Sequence, residues 1–305
     1  MSDLLLRAIA CAFLVTVLAA GPPARADEDC REVERDYQLI AADANTLQRN
    51  AALFKAADGG CEALAHKLIA AGASLLARDR RGAMPLAHAA REGRITLVRF
   101  FLDNGAPIDA RNVDEGTALF GAAEHEKSST VALLLTKGAD PNLAGRSGLT
   151  PLMAAAFKGN DRIVEDLIAH GADPKAHDRT GKAAIVYAAA RGFDGIVARL
   201  LDAGVDAKER YGNDLTALMW AAGHDEGVGA AAIGRVVDLL VTHGAVLDAA
   251  DNRGRTALMI AAASGAAAVV DLLIARGADR TAKDKDGKTA RDLAATAEVR
   301  DRLAR

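Results

Sequence analysis

The chain has 305 residues, with 38 Lys and Arg against 41 Asp and Glu, a formal charge of −3. A charge this close to zero argues against a dedicated nucleic-acid binder, which needs a basic excess to neutralise phosphates. The hydrophobic content of 50 % is too high for a wholly disordered chain, and 3 cysteines are too few for a disulfide-dense scaffold. Only 4 % of the residues are aromatic, so small side chains such as alanine supply most of the apolar content. Such a core requires closely packed helices that repeat many times.

Residues 1–26 have the pattern of a secretory signal peptide that is cut after Ala26. Arg7 gives the positive start, residues 8–20 form an uncharged and mainly apolar run, and Ala24-Arg25-Ala26 is a small-residue cleavage site. As a helix this run spans about 20 Å, short of the ~30 Å bilayer core. The sequence therefore predicts no stable membrane span after cleavage; an uncleaved anchor or a buried N-terminal helix is the alternative. The signal style and the alanine content point to a bacterial protein that is periplasmic or secreted.

Export affects how the cysteines are interpreted. Removal of residues 1–26 takes away Cys11 and leaves Cys30 and Cys61, an even number in an oxidising compartment. A disulfide between these two would close a loop of about 30 residues and add roughly 3–4 kcal/mol on the chain-entropy model. Two separate thiols are the alternative.

The remainder of the sequence repeats with a period of 33 residues. A Gly-Ala pair, once Gly-Val, begins at positions 72, 105, 138, 171, 204, 244 and 277. A second marker of the type Thr-Pro-Leu or Thr-Ala-Leu lies 12 residues after each pair, and an Ala-Ala pair follows it. Because independent markers keep one register, they indicate an array of similar stacked units. One spacing is 40 instead of 33, which places seven extra residues within 223–235.

Each unit has the signals of two helices followed by a tight turn. Threonine at the second marker is suited to cap the first helix, and Pro85 and Pro151 fit the first helical position. The second helix has paired apolar residues, as in Ile163, Val164 and Leu167, and the marker glycine ends it. Asp-x-x-Gly stretches then form the turn before the next unit.

This combination resembles the ankyrin repeat, whose usual signature is Thr-Pro-Leu-His, then Ala-Ala, then Gly-Ala; the closest copy is residues 150–156, TPLMAAA. The resemblance covers residues 46–305 and implies an all-α fold, an α-solenoid of about eight helix-turn-helix units joined by β-hairpins. The units are expected to start near residues 46, 79, 112, 145, 178, 211, 251 and 284. Residues 27–45 are expected to form an N-terminal capping helix. Since terminal units face water on one side, we expect a first unit without a clear cap and a truncated last unit.

Several positions depart from the family pattern. The family's histidine after leucine is replaced in every unit, for example by Ala87, so the resemblance does not extend to hydrogen bonds through that side chain. Met84 and Ala183 replace the capping threonine, at about 1 kcal/mol each. Glu115 and Glu126 lie where other units have glycine.

The sequence has none of the common catalytic or metal-binding motifs. The best polar cluster is His224-Asp225-Glu226 within the extra residues. It is either a metal or acid–base site or a solvated loop, and the histidines otherwise follow repeat position instead of ligand spacing. We therefore expect no enzyme activity, no metal and no cofactor, with a metal-dependent factor that uses residues 223–235 as a minor alternative.

The resemblance also implies that partners bind on a concave face, formed by the hairpin tips and the exposed ends of the first helices. Arginines dominate the tips, where they suit pairing with carboxylates and stacking on rings; a merely solubilising surface is the alternative. The candidate protein-binding residues are Arg80, Arg81, Arg91, Asp114, His125, Arg146, Phe157, Lys158, Arg179, Arg191, Asn213, His224, Asn252 and Arg253. Tyr187 and Trp220 are assigned to the core.

These features predict a non-catalytic protein–protein interaction module, or scaffold, in the periplasm. We expect a monomer that binds a protein partner with an acidic patch and that binds no nucleic acid. A secreted effector that binds a host protein through the same face is the alternative, because its binding physics is identical.

Overall fold

The computed structural model describes residues 25–223 and 227–304, and here the chain is one helix followed by a stack of eight helix pairs. The predicted signal peptide therefore lies almost entirely outside the described residues. The helices are α1 Arg25–Gln38, α2 Thr46–Gly59, α3 Glu62–Ala70, α4 Pro85–Glu92, α5 Ile95–Asp103, α6 Ala118–Glu124, α7 Ser128–Thr136, α8 Pro151–Lys158, α9 Asp161–Ala169, α10 Ala184–Ala190, α11 Asp194–Asp202, α12 Ala217–Ala222, α13 Ala230–Thr242, α14 Ala257–Ser264, α15 Ala267–Ala275, α16 Ala290–Leu293 and α17 Ala297–Arg302. The predicted all-α solenoid is confirmed.

The helix pairs form two layers. The first helices of the pairs (α2, α4 and every second helix up to α16) contact one another in order, and the second helices (α3 to α17) do the same. Between the layers lie the alanine pairs, and all six pairs from Ala89-Ala90 to Ala261-Ala262 are 0 % exposed. Side chains this small let the helices of neighbouring units approach closely. The last pair differs, since Ala294 is 6 % exposed and Ala295 lies on the surface where the array ends.

The first helices begin where the repeat pattern places them, because their caps are threonines. A threonine hydroxyl accepts the backbone N–H of the third helical residue in five units, at Thr117, Thr150, Thr216, Thr256 and Thr289. Met84 and Ala183 occupy the same position without a side-chain cap, as predicted.

The first unit departs from our expectation. Asn45 Oδ1 accepts the Gln48 N–H at 3.0 Å, and Gln48 Oε1 accepts the Asn45 N–H at 2.9 Å, so α2 starts with a reciprocal capping box. The prediction that this unit lacks a clear cap is wrong. The box starts α2 at Thr46, where later units have the aspartate of their turn, so helix replaces the turn at this end of the array.

Helix α1 packs on α2 and covers the first unit. It ends at Gln38, and turns lead to Asn45, so only part of the range 27–45 is helical. A disulfide joins Cys30 in α1 to Cys61, the residue that precedes α3. This bond and the contact with α2 fix α1 at the N-terminal end of the stack.

The extra residues of the sixth unit lie between its two helices. Helix α13 has 13 residues where the second helices of units on either side, α11 and α15, have 9, so part of the extra length adds one helical turn at its N-terminal end. The cluster His224-Asp225-Glu226 lies outside the described residues.

Candidate functional site

Backbone hydrogen bonds connect each turn to the next along the array. In each bond a backbone N–H of one turn donates to a backbone oxygen of the preceding turn, at 2.7–3.1 Å. The pairs are Val113 to Arg81, Arg146 to Asp114, Arg179 to Ser147, Gly212 to Gly181, Asn252 to Asn213 and Lys285 to Arg253. We call this row of connected turns the tip ladder. Because adjacent turns are hydrogen-bonded directly, the side chains on the tip ladder keep a fixed order and spacing.

The arginines of the tip ladder differ in how far they are already paired. Arg81 Nη2 lies 2.9 Å from Asp114 Oδ2, and the Asp114 carboxylate holds the pKa of Arg81 above its usual value. Arg146 Nη2 donates to the Val113 carbonyl oxygen at 2.6 Å. Within the described part of the chain, no carboxylate lies within salt-bridge distance of Arg80, Arg146 or Arg179, which are all exposed. Most of the positive charge predicted on this face is therefore uncompensated.

A groove of about 700 Å³ runs between the tip ladder and the first helices of units two and three. Its lining includes six of the predicted binding residues, namely Arg81, Arg91, Asp114, His125, Arg146 and Arg179. Ala83, Ala87, Phe120 and Leu149, all half-buried, add apolar surface to the lining. The structure thus brings together residues from four different repeats that are far apart in sequence.

The other predicted residues lie elsewhere along the array. Phe157 is 41 % exposed, and its ring lies under the Arg191 guanidinium at 4.5 Å and meets the Tyr187 ring edge-on at 6.1 Å. Lys158 is exposed at the end of the same helix. Asn213, Asn252 and Arg253 are exposed on the turns of units six and seven, and His224 lies outside the described residues. Six of the predicted residues therefore share one groove, and the others that the structure describes lie at separate positions along the array.

Tyr187 and Trp220 are half-buried and not fully enclosed in the core. The Tyr187 hydroxyl donates to Asp178 Oδ2, and burial together with this carboxylate raises the tyrosine pKa. The Lys182 ammonium lies 5.9 Å from the Tyr187 ring centre and 5.1 Å from that of Trp220. The rings therefore contribute to the surface of the first helices in units five and six.

The sequence reasoning missed His88, which is 9 % exposed and lines the groove. Its Nδ1 lies 2.9 Å from Asp58 Oδ1 in α2, and its Nε2 lies 3.1 Å from Asp79 Oδ2 in the turn before α4. Burial opposes the charged imidazolium, but the two carboxylates outweigh it and raise the pKa of His88 above its usual value. Arg91 also reaches Asp58, at 3.1 Å. This cluster ties the first unit to the second directly below the first tip.

The same position in unit five shows a signal that could have revealed this role. His88 and Tyr187 each lie nine residues after the aspartate of their turn, and each contacts that aspartate. Burial raises the pKa of Asp79, but backbone N–H donors from Ala83 and Arg81, and then His88, outweigh it and lower the pKa overall. A polar residue nine positions after a turn aspartate therefore indicates a side-chain hydrogen bond to that aspartate.

The described residues hold no group of three or more histidine, cysteine or acidic side chains arranged to bind a metal ion. Over the same residues, no helix combines the length and the apolar character that a bilayer crossing needs.

A family model for ankyrin repeats in three copies matches the chain over residues 53–145, 96–178, 152–230, 185–284 and 228–300. Together these overlapping matches span residues 53–300, and the chain belongs to the ankyrin-repeat proteins. A comparison with curated proteins finds none that matches. Ankyrin repeats generally mediate protein–protein interaction and are typically non-catalytic, which gives the groove a functional context.

Proposed function

We propose that this protein is a non-catalytic scaffold that holds a protein partner against the tip ladder and the groove beside it. The observation that carries the proposal is the groove itself, in which six predicted binding residues from four repeats line one continuous surface. Arginine at an interface pairs with carboxylates in a bidentate manner and is enriched among the residues that dominate binding energy. Uncompensated arginines on a row of fixed turns suit the carboxylates of an acidic protein surface, and the net charge of −3 argues against a nucleic acid.

We also propose that the mature chain starts after Ala26 and works as a monomer in the periplasm. The signal-peptide pattern of residues 1–26 supports this location, and the Cys30–Cys61 disulfide suits an oxidising compartment. The intact mass of the exported protein gives the cleavage position, and light scattering gives the oligomeric state. Recovery of the protein from the growth medium instead of the periplasm would support the alternative of a secreted effector.

A pull-down with two baits tests the binding proposal. The first bait is the mature protein, and the second carries Arg80, Arg146, Arg179 and Arg253 replaced by glutamate. All four side chains are exposed, so the second bait is expected to keep its fold, which circular dichroism checks. We expect the partner to be retained by the first bait and lost from the second. Retention of the same partner by both baits would show that the arginines of the tip ladder do not bind it.

A further inference from the structure

One residue of the third unit that lines the groove, Gly121, has no side chain. Nine residues after the start of each unit from the second to the eighth, the first helices carry His88, Gly121, Ala154, Tyr187, Trp220, Ile260 and Leu293. Gly121 lies within α6 and lines the groove. A Cβ atom built there meets only the Arg91 Cβ, at 3.9 Å, which is ordinary van der Waals contact. Space that a tyrosine and a tryptophan fill in units five and six is open at this point.

The lining of the groove also includes apolar side chains. Phe120 precedes Gly121 in α6, and Ala87 and Leu149 approach from the second and fourth units. All three are half-buried. We call the open position at Gly121, together with these apolar side chains of the groove lining, the recess.

Most charges beside this recess already have partners within the protein. Asp114 pairs with Arg81 at 2.9 Å, and Asp79 is bound by His88 at 3.1 Å. On the helix side, Arg91 contacts Asp58 and Glu92, at 3.1 and 2.9 Å.

The remaining charged residues of the groove differ between its helix side and its tip-ladder side. On the helix side, Glu124 at the end of α6 is an exposed negative charge whose carboxylate lies 3.9 Å from the His125 ring. Arg146 and Arg179, on successive turns of the tip ladder, have no carboxylate within salt-bridge distance among the described residues. The positive charge that has no carboxylate partner therefore lies on the tip-ladder side of the groove, on two successive turns.

We infer that the groove binds an extended acidic segment of the partner, with one apolar side chain in the recess at Gly121 and carboxylates on Arg146 and Arg179. This inference rests on the proposed function and names the partner chemistry of that site. An extended segment fits because the groove follows successive turns in a line. An apolar side chain suits the recess, since Phe120, Ala87 and Leu149 offer it no hydrogen-bonding side chain.

The test uses a fluorescein-labelled peptide of about ten residues, in which one leucine is flanked on both sides by glutamates. Binding to the mature protein is followed by fluorescence anisotropy at low salt. Two control peptides replace the glutamates by lysines or the leucine by glycine. The protein variants are Gly121→Tyr, which fills the recess, and Gly121→Ala as its matched control. Arg146→Glu with Arg179→Glu reverses the charges, and Arg99→Glu, at an exposed position in α5 that does not line the groove, is the control.

We expect the glutamate–leucine peptide to bind, and both control peptides to bind at least about tenfold more weakly, a difference of about 1.4 kcal/mol. Gly121→Tyr and the double arginine variant should lose binding by a similar factor, while Gly121→Ala and Arg99→Glu should not. Because tyrosine occupies the same helix position in unit five, Gly121→Tyr is expected to keep the native circular dichroism and melting temperature.

Three results would overturn the inference: no binding of the glutamate–leucine peptide, equal binding of the lysine peptide, or unchanged binding by Gly121→Tyr. The proposed function fails separately, through the four-arginine pull-down. A partner that is lost from that variant while the peptide does not bind leaves the tip ladder as an interface and removes only the recess.

Discussion

Replacement of His88 tests whether the first two units are joined by a charged cluster. His88 is 9 % exposed and bridges Asp58 and Asp79 at 2.9 and 3.1 Å, so His88→Ala removes two hydrogen bonds to carboxylates. A hydrogen bond to a charged group contributes about 1.5–3 kcal/mol, and the 40 % exposure of the Asp58 side chain places that bond at the lower end. We expect His88→Ala to lower the free energy of unfolding of these units by about 2–4 kcal/mol near pH 6. His88→Tyr should cost less, because Tyr187 makes the equivalent bond to its own turn aspartate.

The effect depends on pH in a defined direction. The pKa of His88 in the folded chain lies above that of the unfolded chain, which is about 6.5, so the folded state holds the proton more tightly. The stabilisation is complete below about pH 6.5 and is lost as the pH rises through the folded pKa. Arg91 remains on Asp58 throughout and keeps part of the junction at high pH.

The assay is amide hydrogen exchange in the first two units of the mature protein and of His88→Tyr, measured at several pH values and corrected for the intrinsic rates. The wild-type units should lose protection as the pH rises above about 6.5, whereas His88→Tyr should show no such loss. Equal pH dependence in the two proteins, or a wild type without any, would refute the assignment of a charged histidine at this junction.

Three further substitutions or treatments test local features of the fold by urea unfolding. Glu126 has a φ of 58° where neighbouring units have glycine, so Glu126→Gly should stabilise the protein by about 1 kcal/mol, and a loss of stability would contradict the strain. A Cβ on Gly212 would lie 2.3 Å from the Thr180 carbonyl oxygen, so Gly212→Ala should cost about 1–3 kcal/mol; an unchanged midpoint would argue against this close approach. Reduction of the bond between Cys30 and Cys61, which are 31 residues apart, should lower stability by roughly 3–4 kcal/mol, whereas two free thiols in the unreduced, unfolded protein would end the disulfide hypothesis.

Much of the fold could be predicted from the sequence because each marker residue has a local role. A threonine cap or a turn glycine acts within a few residues, so its spacing gives the position of each helix. The start of α2 was harder to place, because Asn45 and Gln48 cap a helix at a position where the repeat pattern predicts a turn. The first unit has no preceding turn to bind, and the repeat pattern does not predict that a helix replaces the turn there.

The site was predictable only in part, because it depends on contacts between repeats. The repeat pattern placed arginines on the turns, but the pairing of Arg81 with Asp114 joins residues 33 positions apart and needed coordinates. His88 was missed for the same reason, since one of its partners, Asp58, belongs to the preceding unit. Gly121 gave no sequence signal at all, because an absent side chain matters only when the neighbouring helices that define the recess are in place.

The most direct test of the central claim is a crosslinking experiment in the exporting cell. A photoreactive amino acid is placed at His125, on the edge of the groove, and in a second variant at Arg99, which is exposed on the second helix of the second unit. Position 99 lies within α5 and position 125 directly follows α6, so the two variants report different faces of the array. We predict a crosslinked protein partner from position 125 and none from position 99. A partner captured only from position 99 would contradict binding at the groove.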